Sequence, residues 1–320
     1  MGLKKIVFYE SESFNPYLNL AMEEKLLDSA EPDSLYFYLW QNKNTVVIGK
    51  NQCASDECNL TLMKKDKITL ARRSSGGGAV YHDLGNLNFT FIAPNKFFDK
   101  RLQLEVVQKA LGEFNLKSNF SGRNDLLLDG YKISGQAYLE RGEYSLHHGT
   151  LLVDVDIDAL GKYLKLDEAK LKTHGVKSHK QRVKNINSFD NRVTVDSIKD
   201  ALKKAVCEIY ELPMVEGELI NADFQKYGSR EWLYRLSFRG IRLRARFDYG
   251  LIDIHMQIIK DKIENVIVNS DLMNVSLIDE IKQQLEGSLF DEELVESFTL
   301  SDEIIAADIK EMISNKLRMT

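Results

Sequence analysis

The chain has 320 residues, 43% hydrophobic and 28% charged, a balance that suits a folded protein with one large domain and a small one. A net charge of −5 argues against extended nucleic-acid binding, the lack of any 18-residue uncharged stretch argues against a membrane-spanning helix, and MGLKKIVFYESE at the N-terminus has no signal-peptide core. Cys53, Cys58 and Cys207 show neither a disulfide framework nor metal-ligand spacing, so a reducing, cytoplasmic setting is expected.

In chain order, Ile6 to Tyr9 reads as a strand, and Asn15 with Pro16 supplies the cap and first-turn proline of a helix running to about Leu27. Leu35 to Trp40 and Thr45 to Ile48 are apolar strands separated by the polar QNKN, which predicts a hairpin. Lys67 to Ala71 and Leu87 to Ile92 alternate as strands on either side of a glycine-rich stretch. Leu102, Val106, Val107, Ala110 and Leu111 form a helical stripe that packs on a sheet. Asp125 to Leu128, Asp129-Gly130 and Tyr131 to Leu139 give the strongest hairpin signal, because Asp-Gly suits the positive φ values of a type I′ turn. A second turn is expected at Arg141-Gly142, with a return strand from Tyr144 to Val153. Helices are expected near 158–164 and at 195–210, the latter capped by Thr194. Between them, Lys170 to Lys184 (KLKTHGVKSHKQRVK) reads as an exposed basic loop. From about Ser237 come three strands, then helices after Ser276 and Ser301, an α+β module that sets off residues 237–320 from 1–236.

The chemistry concentrates in Arg72 to Asn86, RRSSGGGAVYHDLGN. Three consecutive glycines carry a high entropic cost and are kept where positive φ or close ligand approach is needed; their N–H groups can converge on phosphate oxygens. Arg72 and Arg73 add fixed planar cations suited to phosphate or carboxylate. The glycines join strands, and neither a Walker loop nor a dinucleotide fingerprint is present, so the ordinary nucleotide folds are disfavoured.

A second group surrounds the Asp-Gly turn: GRND from Gly122, KISG from Lys132, and HHGT from His147. Strand alternation places Lys132, Ser134 and Gln136 on one face. A two-residue loop at Arg141-Gly142 would set Ser134 opposite Gly149, Gln136 opposite His147 and Lys132 opposite Leu151, so His147 shares the Lys132 face and His148 points away unless a bulge intervenes. One of the two histidines is then structural. Their spacing does not suit zinc, while magnesium remains open through Asp125 and phosphate oxygens.

In this order and spacing, RRSSGGGAVYHDLGN, GRNDL, KISGQAY and HHGTLL resemble the lipoate-protein ligase A family. The similarity extends over Asn15 to Trp40, VVIGKNQ at Val46 to Gln52 and GVKSHKQRVKN at Gly175 to Asn185, and thins after about residue 205. The resemblance implies an α+β fold, a mixed, mostly antiparallel sheet flanked by helices, with a small C-terminal α+β domain. It implies activation of lipoate with ATP and Mg2+ to lipoyl-adenylate, then transfer to a lysine of a lipoyl carrier domain, in a 2-oxoacid dehydrogenase acyltransferase subunit or the glycine-cleavage H protein. Carried over residue by residue, it makes Lys132 the catalytic lysine, touching both substrates. It assigns Arg73, Gly78, Ala79, Val80, Tyr81, Asn124 and Lys177 to ATP, and Arg72, Ser74, Gly77 and His148 to lipoate. Asp125 is the candidate for Mg2+. No residue offers itself as general base for the transfer step. The alternatives are acyl transfer between carriers through a thiol nucleophile and a non-catalytic module that binds lipoyl carriers or nucleotide.

Overall fold

The computed structural model describes residues 2–121, 125–165, 183–218, 222–235, 241–272 and 274–318. Its centre is an eight-stranded sheet in the order β11-β1-β2-β6-β10-β9-β8-β7. These strands are β1 (Lys5–Glu10), β2 (Ser34–Trp40), β6 (Asn86–Pro94), β7 (Ser118–Ser121), β8 (Asp125–Leu128), β9 (Tyr131–Arg141), β10 (Tyr144–Leu152) and β11 (Met214–Glu216). The β11-β1 and β1-β2 pairs run parallel and the remaining pairs antiparallel, so the sheet is mixed and mostly antiparallel.

Each face of this sheet has its own cover. On one, Phe37, Phe89, Phe91, Leu151 and Ile133 pack against two helices, α4 (Lys100–Gly112) and α6 (Val195–Tyr210). The helix stripe read from Val106, Val107, Ala110 and Leu111 is buried there as expected. On the other, Tyr36, Tyr38, Trp40, Leu139 and Leu146 meet α1 (Pro16–Asp28) and a three-stranded sheet of β4 (Thr69–Arg72), β3 (Thr45–Ile48) and β5 (Val80–His82). Helix α1 starts as the sequence predicts, with Asn15 capping the Tyr17 N–H and Pro16 in the first turn.

The hairpin expected between Leu35–Trp40 and Thr45–Ile48 does not form. β2 pairs with β1 and β6, whereas β3 turns away to pair with β4 and β5. Every residue of both strands is buried, so each needs a neighbour on two sides and two layers, which a lone hairpin cannot supply. Asn44, at φ 44°, makes the change of direction.

The Asp129-Gly130 turn has φ values of 48° and 81°, as a type I′ turn requires. The second turn lies one residue later than expected: Arg141 pairs with Tyr144, and Gly142, at φ 59°, takes the first central position. From residue 241 onward, β12 (Ile241–Phe247), β13 (Gly250–Ile259) and β14 (Lys262–Ser270) form an antiparallel meander. Its apolar face packs on helices Val275–Leu285, Glu292–Ser297 and Glu303–Leu317. No helix is long and apolar enough to cross a membrane among the described residues.

Candidate active site

The glycine-rich segment joins β4 to β5 and lies against the 48–50 turn. Arg73 N–H donates to the Ile48 carbonyl at 3.0 Å and Lys50 N–H to the Ser75 carbonyl at 2.8 Å. Gly77 takes φ 89°, and a side chain on Gly49 would run into the Gly77 carbonyl. Close backbone approach therefore requires glycine on both sides. Gly78 is different, because a side chain there would meet nothing within 4 Å. Ala79 and Val80 lead into β5, and Tyr81 is buried against Tyr163, with its hydroxyl pushed up to about 12 by burial.

The two arginines face inward. Arg72 is fully buried and gives its guanidinium to five carbonyls: Trp232 (2.9 Å), Gly49 (3.0 Å), Lys50 (3.0 Å), Gln52 (2.6 Å) and Leu233 (2.7 Å). Arg73 donates to the carbonyls of Val47 (3.3 Å), Gly76 (2.7 Å) and Gly78 (2.8 Å) and to the Ser75 hydroxyl (3.1 Å). Burial pushes both guanidinium groups down to about 10, so both remain cations at neutral pH. Their donors hold backbone in place, where the sequence reading expected them on substrate. Ser74 points instead at the Tyr227 hydroxyl, 3.3 Å away.

The tandem histidines separate onto opposite faces. His147 enters the aromatic core of Phe89, Phe91 and Tyr138, between the side chains of Gln103 and Gln136. Burial holds it far below the usual imidazole range, so it is neutral. His148 faces the glycine loop. Its Nδ1 hydrogen-bonds the Glu23 carboxylate at 2.8 and 3.0 Å, and its Nε2 hydrogen-bonds the Ser75 hydroxyl at 2.7 Å. Glu23 also accepts from Thr90 (2.6 Å), which accepts from the Trp40 indole (3.0 Å). The relay thus runs from β2 through β6, α1 and β10 to the loop.

Lys132 shares the His148 face because of a bulge. β8 pairs Asp125 with Gly135 and Leu126 with Ser134, but then Leu127 with Lys132, so Ile133 is the extra residue on β9. The bulge reverses alternation on the lysine's own strand and overturns the register deduced from the turn alone. Gly135 faces the Thr150 hydroxyl and the Lys132 ammonium, and Thr150 stands two residues, about 7 Å, from His148 along the same face of β10. Lys132 Nζ forms an ion pair with Asp125 Oδ1 at 2.7 Å. Its backbone is also engaged, since Val183 bridges Lys132 and Lys184 N–H donates to the Lys132 carbonyl at 3.1 Å. Val183 and Lys184 are therefore tied to the lysine's strand.

Asn124 and Lys177 lie outside the described residues. The sequence reading missed Glu23, Ser75, Thr90 and Thr150. Only Glu23 left a signal, as a carboxylate on the same buried stripe of α1 as Leu20, Leu26 and Leu27. The cysteines offer no activated thiol: Cys53 and Cys58 are buried, burial pushes Cys58 up to about 12, and Cys207 lies in α6 beneath the opposite face.

The family model for the lipoyl protein ligase A/B catalytic domain matches residues 15–207, and that for the bacterial lipoate protein ligase C-terminus matches 240–316. Similarity therefore continues beyond the point near residue 205 where the sequence motifs thin out. Lipoate-protein ligase A of Psychrobacter cryohalolentis is 35% identical over 303 residues, covering 90% of this chain and 89% of its own. That of Blochmanniella floridana is 36% identical over 293 residues, with 87% of each chain covered. Among solved structures, LipL1 of P. falciparum in complex with lipoate superposes with a TM-score of 0.83 at 25% identity, over 96% of this chain and 99% of its own. A lipoate-protein ligase A bound with ATP gives 0.63 at 28% identity, over 73% and 100%. A bi-partite ligase of Thermoplasma acidophilum, studied with its E2 lipoyl domain, gives 0.63 at 30% identity, over 75% and 99%.

Proposed function

Since the chain belongs to the lipoate-protein ligase A family, we propose a division of labour among its residues for the ATP-dependent attachment of lipoate to lipoyl carrier proteins. The observation that carries it is the Lys132 ammonium beside Gly135 and Thr150, which the bulge on its strand brings to the sheet face that also carries His148. Attack of a carboxylate on the α-phosphate brings anion to anion, and a fixed cation between them lowers that barrier. Lys132 is that cation. The loop from Gly77 to Tyr81 receives ATP phosphates on its backbone, with Gly78 the open point, and the basic loop around Lys177, with Asn124, completes the nucleotide side. Arg72 and Arg73 act by holding this backbone in shape. Lipoate lies along the wall of Ser74, Gly77 and His148, with Glu23 and Ser75 fixing the imidazole.

Mg2+ is expected with ATP, but Asp125 already gives its Oδ1 to the Lys132 ammonium. One carboxylate does not by itself make a metal site, so no step is assigned to a metal there. We divide the chain into a catalytic part, residues 1–236, and an accessory part, residues 237–320. The natural acceptor is proposed to be the lysine of a 2-oxoacid dehydrogenase acyltransferase subunit or of a glycine-cleavage H protein. A thiol-based transfer finds no support in the buried, unactivated Cys58.

The test offers purified protein ATP, magnesium, lipoate or octanoate, and several carrier domains, and reads carrier mass and pyrophosphate. Lys132→Met should fold normally and lose adenylate formation by roughly 100- to 1,000-fold. Near-normal pyrophosphate release by that variant would remove Lys132 from the mechanism.

A further inference from the structure

Asp125 is the open question left by this assignment. It stands on β8 directly opposite Gly135, so its carboxylate borders a position with no side chain. The group it holds is a primary alkylammonium, at 2.7 Å, and the Asp125 side chain is itself 23% exposed. Among the described residues it is the carboxylate within ion-pair distance of Lys132.

We propose that this carboxylate is the seat for the ammonium of the carrier's acceptor lysine, and that Lys132 occupies it only until substrates arrive. The inference rests on the reading above, in which Lys132 turns to the phosphate and carboxylate oxygens during activation. One ammonium cannot serve as full counter-ion to Asp125 and also sit between two anionic reactants, so activation loosens the pair. The seat then faces a second ammonium of the same chemistry, delivered by the carrier. No new pocket is needed, because the protein already binds this group at this place.

Such a seat answers two requirements of the transfer step. The acceptor nitrogen must be brought to the acyl carbon, and it must lose a proton before its lone pair can attack. In the step we write, the seated ammonium gives one proton to the Asp125 carboxylate, and the neutral amine forms the new C–N bond at the acyl carbon. The C–O bond to phosphate then breaks, AMP leaves with that electron pair, and the second proton on nitrogen passes to solvent, leaving a neutral amide. Gly135 leaves the approach to the seat open, and the Thr150 hydroxyl, which accepts from the Gly135 N–H at 3.2 Å, marks its far wall.

The experiment supplies chemically made lipoyl-adenylate without ATP or magnesium and follows acyl transfer to a carrier domain and, separately, to hydroxylamine, which is neutral at pH 7.5, with the rate in the absence of protein subtracted from each. Wild-type protein must perform both; if it does not, the ligase reading itself fails. Asp125→Asn should lose carrier transfer by about 100-fold while keeping hydroxamate formation within about 3-fold, and Asp125→Glu should recover part of the carrier rate. Equal loss toward both nucleophiles would mean that Asp125 only shapes the pocket, and full retention of carrier transfer would confine it to the activation step; either result overturns the proposal.

Discussion

Replacing Gly135 by alanine tests the placement of the catalytic cation without touching a charged group. An added Cβ would stand 3.2 Å from Lys132 Nζ, 3.3 Å from its Cε and 3.9 Å from Thr150 Oγ1. Comfortable contact begins near 3.5–4.0 Å, so the ammonium must withdraw by about 0.5 Å. The obstructed atom is the tip of a flexible side chain, and Gly135 is not among the positive-φ glycines, so the fold should accept the methyl group. A misplacement of 1 Å in a preorganised site can cost about 100-fold, so half of that predicts a loss of about 10-fold in adenylate formation, near 1.4 kcal/mol. Gly135→Val should deepen the loss toward about 100-fold. Pyrophosphate release under saturating lipoate and ATP, read beside a melting curve, gives both quantities. Full activity in folded Gly135→Ala would mean that the ammonium reaches the reactants without using the space beside Gly135.

Two further outcomes follow from burial. Arg73→Ala strips the donors from two carbonyls and a hydroxyl inside the loop and from the Val47 carbonyl on β3, and should lower the melting temperature by several degrees while raising the KM for ATP and lipoate together. An unchanged melting curve with only ATP weakened would return this guanidinium to direct phosphate contact. His82 is pushed down to about 3, first by burial and then by Arg73, so it is neutral when folded but titrates near 6.5 when unfolded. The unfolded chain therefore binds the extra proton, stability falls as pH drops below about 6.5, and this residue alone costs about 2 kcal/mol between pH 6.5 and 5. His82→Asn should flatten that part of the stability–pH curve, and an unaltered slope would dismiss the assignment.

Local signals in the sequence were enough for much of the architecture. The cap and proline of α1, the stripe of α4 and the Asp129-Gly130 turn are each decided within a few neighbouring residues, and each took the expected form. Pairing between distant segments was not legible. Nothing between Leu35 and Ile48 says that its two strands belong to different sheets, because burial on both faces hides the alternation that would assign them. The bulge at Ile133 depends on how β8 meets β9, and it alone decides which histidine joins Lys132. The arginines show the same limit differently: composition marks them as anion ligands, but carbonyls brought from residues 49–52 and 232–233 claim their donors first.

The reach of Arg72 has a practical corollary for anyone who would borrow this motif. The glycine stretch looks portable, a short cassette that could be spliced into another scaffold, yet its geometry is countersigned by carbonyls that lie 20 to 23 and 160 to 161 positions away in the chain. A lysine in its place, with three donors on one atom, could not satisfy that set. The cassette is therefore an outcome of the whole folded body, and transplanting it without its distant acceptors should yield a floppy loop with no affinity for nucleotide.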